Sequence, residues 1–256
     1  MAKLRTVITG GSGQIGQILA RHFHAYAHEV IVLSRHSAAM PWRTVLWDAR
    51  TVGPWSRELD RADLVINLAG RSVNCRYTPA NRREIKESRV QSTLVLGEAI
   101  ARATHPPALW INASTATIYR HAFDRAMDEH TGELGGTSGS GRQYVSWVHD
   151  ADFLSAIDFL VARPELEGVV NISSPEPLPN REFMRALRRA WGTPIGLAAS
   201  RWMLEIGAVF LRTETELILK SRRAVPTRLL QAGFEFRFPA WPDAVRDLVS
   251  RWRERS

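Results

Sequence analysis

Thr6-Val7-Ile8-Thr9-Gly10-Gly11-Ser12-Gly13-Gln14-Ile15-Gly16 is the stretch that decides how the rest of the chain is read. A β-branched run meets a glycine cluster, and an apolar-periodic segment from Gln17 to Tyr26 follows at once. That is the pattern of strand, tight turn and helix. Two spacings overlap, Gly11-x-Gly13-x-x-Gly16 and Gly10-x-x-Gly13-x-x-Gly16. The first glycine permits a turn at positive φ. The second removes a Cβ so that a pyrophosphate can approach the backbone, and the third lets helix and strand pack closely. The start of the helix adds N–H groups without partners and a partial positive charge.

Working outward, Val30 to Leu33 reads as a second strand ending in Ser34-Arg35-His36. In a dinucleotide fold this point meets the adenosine ribose. An acidic residue there binds the 2′-hydroxyl of NAD, whereas a small polar residue followed by arginine suits the 2′-phosphate of NADP. No Asp or Glu stands here, so NADP(H) is expected over NAD(H). Arg43 to Trp47 reads as a third strand ending at Asp48, which either accepts a hydrogen bond from the adenine amino group or begins a turn. Leu64-Val65-Ile66-Asn67-Leu68, closed by Ala69-Gly70, has the near-continuous apolar run of a strand buried on both faces. Thr78-Pro79 reads as an N-cap with proline at the first helical position, opening a helix that runs towards Ala103. Leu109 to Asn112 is a fifth strand, followed by Ser114-Thr115-Ala116-Thr117. The alternation predicts an α/β fold with a doubly wound parallel sheet, whose ligands bind at the carboxyl ends of the strands. Asp150 to Val161 reads as a helix and Gly168 to Ile172 as a late strand. Arg181 to Trp191, Arg201 to Leu211, Glu216 to Ser221 and a last helix from Ala240 to Trp252 follow. The expected division is a dinucleotide-binding domain over 1–175 and a small, mostly helical lobe over 176–256 that closes over the crevice.

Composition narrows the function classes. With 256 residues the chain suits one large α/β domain, or one domain and an appendage. The single cysteine, Cys75, excludes an internal disulfide and fits a reducing compartment. No secretory leader pattern occurs, and no apolar run approaches the ~18–20 residues that span a bilayer. The expectation is a soluble, cytoplasmic protein with no membrane partner. The net charge is +8, but the arginines are interleaved with acids, as in Arg57-Glu58 and Arg246-Asp247. No dense basic run with aromatics appears, so no nucleic-acid partner is expected. His24 and His28 have metal-ligand spacing on a helix but lack a third ligand, so no metal is expected.

These stretches together carry a resemblance. Thr9 to Gly16, Asn67 to Gly70 and Ser114-Thr115-Ala116-Thr117-Ile118-Tyr119 resemble the extended short-chain dehydrogenase/reductase superfamily. More narrowly, the chain is similar to an NAD(P)-dependent epimerase-like family, some of whose members are labelled cell-division inhibitors. Glu84-Ile85, Ser88-Arg89-Val90, Gly139 to Gln143, Trp147-Val148-His149, Asp152, Arg223 to Pro226 and Ala232 to Arg237 carry that match. The resemblance implies a Rossmann-like domain and assigns Gly10, Gly13, Gln14, Ile15 and Gly16 to the phosphate turn. Ser34 and Arg35 match the ribose-phosphate position. Leu68, Ala69 and Gly70 match the strand end beside the nicotinamide ribose, and Arg89 matches a family arginine near cofactor or substrate. Ser114 or Thr115 matches the hydroxyl that hydrogen-bonds the reacting oxygen.

Two departures stand out. The superfamily's acid/base is a tyrosine with lysine four residues later, the lysine lowering the phenol's pKa. Here none of Tyr26, Tyr77, Tyr119 and Tyr144 has that lysine. The second is a shortening. Only Arg120 to Gly141 separates Tyr119 from Arg142-Gln143, and a block of about sixty residues, the length of the βαβ units lacking, is missing near 131–140. The reading is thus an NADP(H)-binding oxidoreductase or epimerase-like enzyme on an unidentified carbonyl or alcohol of the nucleotide-sugar kind. The alternative is a catalytically impaired NADP(H)-binding sensor. The expected partner is a small-molecule substrate, with a homodimer left open.

Overall fold

The computed structural model describes residues 3–37, 39–120, 123–134, 143–193, 221 and 223–255. The chain divides into two compact units, Met1–Ser114 and Thr115–Ser256.

The first unit carries β1 (Arg5–Thr9), α1 (Gln14–Ala25), β2 (Glu29–Ser34), β3 (Arg43–Leu46), β4 (Leu64–Asn67), α2 (Pro79–Ala101) and β5 (Leu109–Asn112). All five strands are parallel, in the order β3-β2-β1-β4-β5. The order reverses at β1, which places the switch point of the sheet at the glycine turn. Register aligns the tips: Thr9 sits opposite Leu33 on one side and Asn67 on the other. Val7, Ile31, Leu33 and Val65 pack against Trp47, Trp55, Leu59, Val95 and Leu96. Full burial of each such aliphatic side chain contributes about 1.5–3 kcal/mol. At α2 the cap is as expected: the Thr78 side chain accepts from the Asn81 N–H, and Pro79 opens the helix. Beneath the sheet, Glu58 accepts from Arg5 (2.9 Å) and from Arg43 (2.6 Å). The third strand stops at Leu46, one residue short of expectation.

Among its described residues, the second unit has two short strands, β6 (Tyr144–Val145) and β7 (Leu178–Pro179), paired antiparallel. Its helices are α3 (Asp150–Val161), α4 (Asn180–Trp191), α5 (Thr227–Gln231) and α6 (Trp241–Arg253). Helix α4 packs on α6 through Phe183, which stacks on Trp241 with centroids 4.0 Å apart. Trp147 meets the same indole edge-on. Ala156 of α3, Leu229 of α5 and Phe234 form a separate core.

One expectation is corrected. Residues 168–172 form no strand. Val170 and Ile172 do pack on the Ala156–Leu229–Phe234 core, which explains the apolar alternation, but the Asn171 N–H goes to Glu129 Oε1 instead of a ladder partner. The first compact unit ends at Ser114, and residues 171–174 bond to later segments of the second unit. The expected helix over 201–211, all but Ser221 of the one expected over 216–221, and residues 135–140 of the shortened region lie outside the described residues. Among the described residues, no helix is long and apolar enough to cross a membrane.

Candidate functional site

At the glycine turn, Gly10 adopts φ +69°, and a Cβ there would stand 2.9 Å from the carbonyl of Leu68. The turn therefore lies directly against the end of β4. Gly13 is the N-cap of α1, with no side-chain cap and no acid in the first turn. A Cβ at Gly13 would meet only the Gly10 carbonyl oxygen, at 3.3 Å, so this side of the turn is open. Gly16 is the opposite case: its Cβ would fall 2.4 Å from the Gly11 Cα. The third glycine thus packs the helix onto the turn itself. Gln14 and Ile15 are exposed on the first helical turn, and Ile15 is 45% accessible for an aliphatic residue.

At the tip of β2 the Ser34 hydroxyl is buried and lies 3.3 Å from the Ser12 hydroxyl, joining strand end to glycine turn. It also accepts from the His36 N–H. Arg35 is exposed, and its guanidinium forms no ion pair among the described residues. Asp48 begins a turn. Its Oδ1 accepts from the Arg50 and Thr51 N–H groups and its Oδ2 from the Thr51 hydroxyl. Those bonds, the Thr51 hydroxyl first, hold its carboxyl down to about 2.

The floor between β1, β4 and β5 is a polar chain whose contacts the sequence did not reveal. Thr9 Oγ1 donates to Asn67 Oδ1 (2.5 Å), which also accepts from the Ala69 N–H (3.1 Å). Asn67 Nδ2 donates to Asn112 Oδ1 (2.7 Å). These bonds fix the Asn67 amide and tie three strand tips together. Behind them, α2 grips the segment Ala69 to Arg71. Ser88 Oγ accepts from the Arg71 N–H, Arg89 Nη1 donates to the Arg71 carbonyl, and Ser92 Oγ donates to the Ala69 carbonyl. The one advance signal was Ser88-Arg89-Val90 within the resemblance.

Ser114 follows the end of β5 and is exposed; Thr115, next in the chain, is exposed also. Tyr119 is buried, and its hydroxyl donates to Asn171 Oδ1 (3.1 Å). Burial pushes its phenol up, against the pull of that hydrogen bond. A phenol so held suits structure better than proton transfer near neutral pH. His149 caps α3: its Nδ1 accepts from the Ala151 N–H, and its Nε2 faces Asp247 Oδ2 and Arg251 Nη2, each at 3.0 Å. Asp152, 2% accessible, accepts from the Arg237 and Phe238 N–H groups. Two stretches of the resemblance, around Asp152 and Arg237, thus bind each other. Helix α1 ends at Ala25, so His28 is not on the helix with His24, and its Nδ1 accepts from the Leu4 N–H.

With the glycine turn at the switch point of a parallel sheet, comparison with known proteins becomes decisive. Residues 6–138 match the NAD dependent epimerase/dehydratase family. The chain belongs to that family. Residues 199–248 match a domain of unknown function, DUF1731. The epimerase family protein SDR39U1 of Bos taurus is 26% identical over 303 residues, taking in 96% of this chain and 100% of that one. An alignment of 303 positions that holds 96% of a 256-residue chain leaves about 57 positions of the bovine protein with no counterpart here. The epimerase family protein Mb2239 of Mycobacterium bovis is 29% identical over 289 residues, covering 92% of this chain and 94% of that one. Among solved structures, the human epimerase family protein SDR39U1 (isoform 2), crystallised with NADPH, superposes with a TM-score of 0.82. It is 22% identical and covers 96% of this chain and 99% of that one.

Proposed function

We propose that the chain binds NADP(H) in preference to NAD(H), along the carboxyl ends of the first unit's strands. In this reading it acts as an oxidoreductase or epimerase-like enzyme on a carbonyl or alcohol of the nucleotide-sugar kind. The observation that carries the cofactor reading is the tip of β2: a buried Ser34 joined to Ser12, followed by an exposed arginine with no ion pair among the described residues and no acid beside it in sequence. The turn also fits a pyrophosphate, since Gly13 is open and the start of α1 has no side-chain cap. Gly10, Gly13, Gln14, Ile15 and Gly16 would line the phosphates, and Ser34 and Arg35 the 2′-phosphate. Leu68, Ala69 and Gly70 would border the nicotinamide ribose. Asp48 spends both carboxylate oxygens on its own turn, which favours the turn-forming role over an adenine contact. When bound, the cofactor supplies or takes up hydride. The hydroxyl of Ser114 or Thr115 would polarise the reacting oxygen, and water would carry the proton.

The second reading, an NADP(H)-binding sensor with impaired catalysis, is favoured by Tyr119, whose hydroxyl is committed to Asn171 and which has no lysine four residues on. Titration of the purified protein with NADPH and NADH, followed by fluorescence, tests the cofactor; tighter NADH than NADPH would refute the role given to Arg35. A carbonyl-substrate screen on Ser114→Ala and Thr115→Ala separates the two readings. Loss of turnover in either supports the enzyme, whereas turnover unchanged in both removes the hydroxyl assignment.

A further inference from the structure

The sequence placed Arg89 near cofactor or substrate, and its bonds give it a more specific role. Nη1 donates to two backbone carbonyls, Arg71 (3.1 Å) and Ile85 (2.9 Å). The side chain lies flat beneath Gly70, so that a Cβ on Gly70 would stand 3.0 Å from Arg89 Cγ and 3.1 Å from Cζ. Ser88, the residue before Arg89, and Ser92, three after it, hold the same segment at the Arg71 N–H (2.9 Å) and the Ala69 carbonyl (3.4 Å). The neighbouring backbone, Leu68-Ala69, is the surface against which Gly10 of the glycine turn rests. A helix interior normally turns such an arginine to solvent or to an acid four residues away. Here the guanidinium bridges the helix's own Ile85 carbonyl and the Arg71 carbonyl of the loop, and the loop has a glycine where a side chain would push against it.

We propose that Arg89 is a positioning residue: acting through Gly70, it sets the loop after β4 so that the nicotinamide half of the dinucleotide finds its surface. The adenosine half, bordered by Ser34 and Arg35 at the tip of β2, does not depend on it. This rests on the NADP(H) reading above, and the test separates the two. NADPH and adenosine 2′,5′-bisphosphate, which carries only the 2′-phosphate half, are each titrated against wild type, Arg89→Met and Arg89→Lys. Arg89→Met, which keeps length but has no donor, is expected to weaken NADPH at least tenfold and leave the bisphosphate within twofold. Arg89→Lys, with one donor head that can still reach a carbonyl, recovers part of the loss. Equal weakening of both ligands, or no change in either, overturns the positioning role while the cofactor reading stands. Failure of wild type to bind either ligand overturns the cofactor reading and this role with it. Should Arg89→Met not fold, Ser88→Ala and Ser92→Ala each remove one strut. They carry the same test, with NADPH alone expected to weaken by a few fold and unchanged NADPH binding in both counting against the proposal.

Discussion

The two units reach order by different means. In the first, the parallel ladder does most of the joining: β1 pairs with β2 over five register positions and with β4 over four, and the side chains add a dry core. In the second, the described backbone pairing is two strands of two residues each and two isolated bridges, Tyr119 with Leu134 and Met127 with Ala224, and side chains bonded to distant backbone add much of the joining. Asp152 holds the N–H groups of Arg237 and Phe238, and Ser174 Oγ donates to the Pro239 carbonyl. Ser173 Oγ donates to the Ala224 carbonyl, and Asn171 Nδ2 to that of Val225. The first arrangement needs a repeating pattern of residue types. The second needs particular residues at particular places, because a buried donor left without its acceptor costs its full desolvation.

Four substitutions or conditions test that contrast, starting with the largest effect. Asp152→Ala takes a buried carboxylate away from the N–H groups of Arg237 and Phe238 and should cost about 3 kcal/mol, read as a fall in the urea midpoint at constant slope. A loss below about 1 kcal/mol would mean that water replaces the carboxylate and that the second unit is not built as described. In the first unit, Gly16→Ala drives a methyl into the Gly11 backbone. It should cost about 2–3 kcal/mol by overpacking, and NADPH binding should fall far more than stability does. Equal, small effects on both would show that the turn relaxes without consequence.

Tyr119→Phe removes one hydrogen bond to Asn171 and should cost about 1 kcal/mol with NADPH binding intact. A loss of turnover larger than its loss of stability would return Tyr119 to the catalytic candidates. In the wild type its phenol should titrate above the ordinary tyrosine value of 10.0, read by absorbance near the phenolate band. The sign follows from the raised value: this contribution to stability is complete below pH 10 and is lost as pH rises through the folded value. The smallest effect belongs to Asp48. Its carboxyl is held down to about 2 from 3.8, so its contribution is present above about pH 3.8 and lost as pH falls towards 2. Asp48→Asn should flatten a shallow part of the acid limb; an identical acid limb in both proteins would show that the Thr51 turn contributes nothing.

Legibility followed the same divide. Strand, turn and helix were readable from Thr6 to Asn112 because periodicity 2 and 3.6, glycine and proline are local signals. The Thr78–Pro79 cap and helix α3 lie where the residues say they should. The polar chain through Thr9, Asn67 and Asn112 was not readable, since its members are 45 to 58 residues apart and meet only once parallel register is set. Residues 168–172 misled for the reverse reason: Val170 and Ile172 alternate as a strand does, yet their order comes from a core and from Glu129. The roles of Ser88, Arg89 and Ser92 depend on where the loop after β4 folds back, which no spacing along α2 reveals.

The ring of His149 has one further consequence. With Nδ1 accepting from a backbone N–H, its Nε2 edge faces a carboxylate and a guanidinium at once, Asp247 and Arg251, each at 3.0 Å. The three positions 149, 247 and 251 are therefore a lock with interdependent wards. Drift at any one of them needs a matching change at another, so substitutions tolerated there should arrive in pairs.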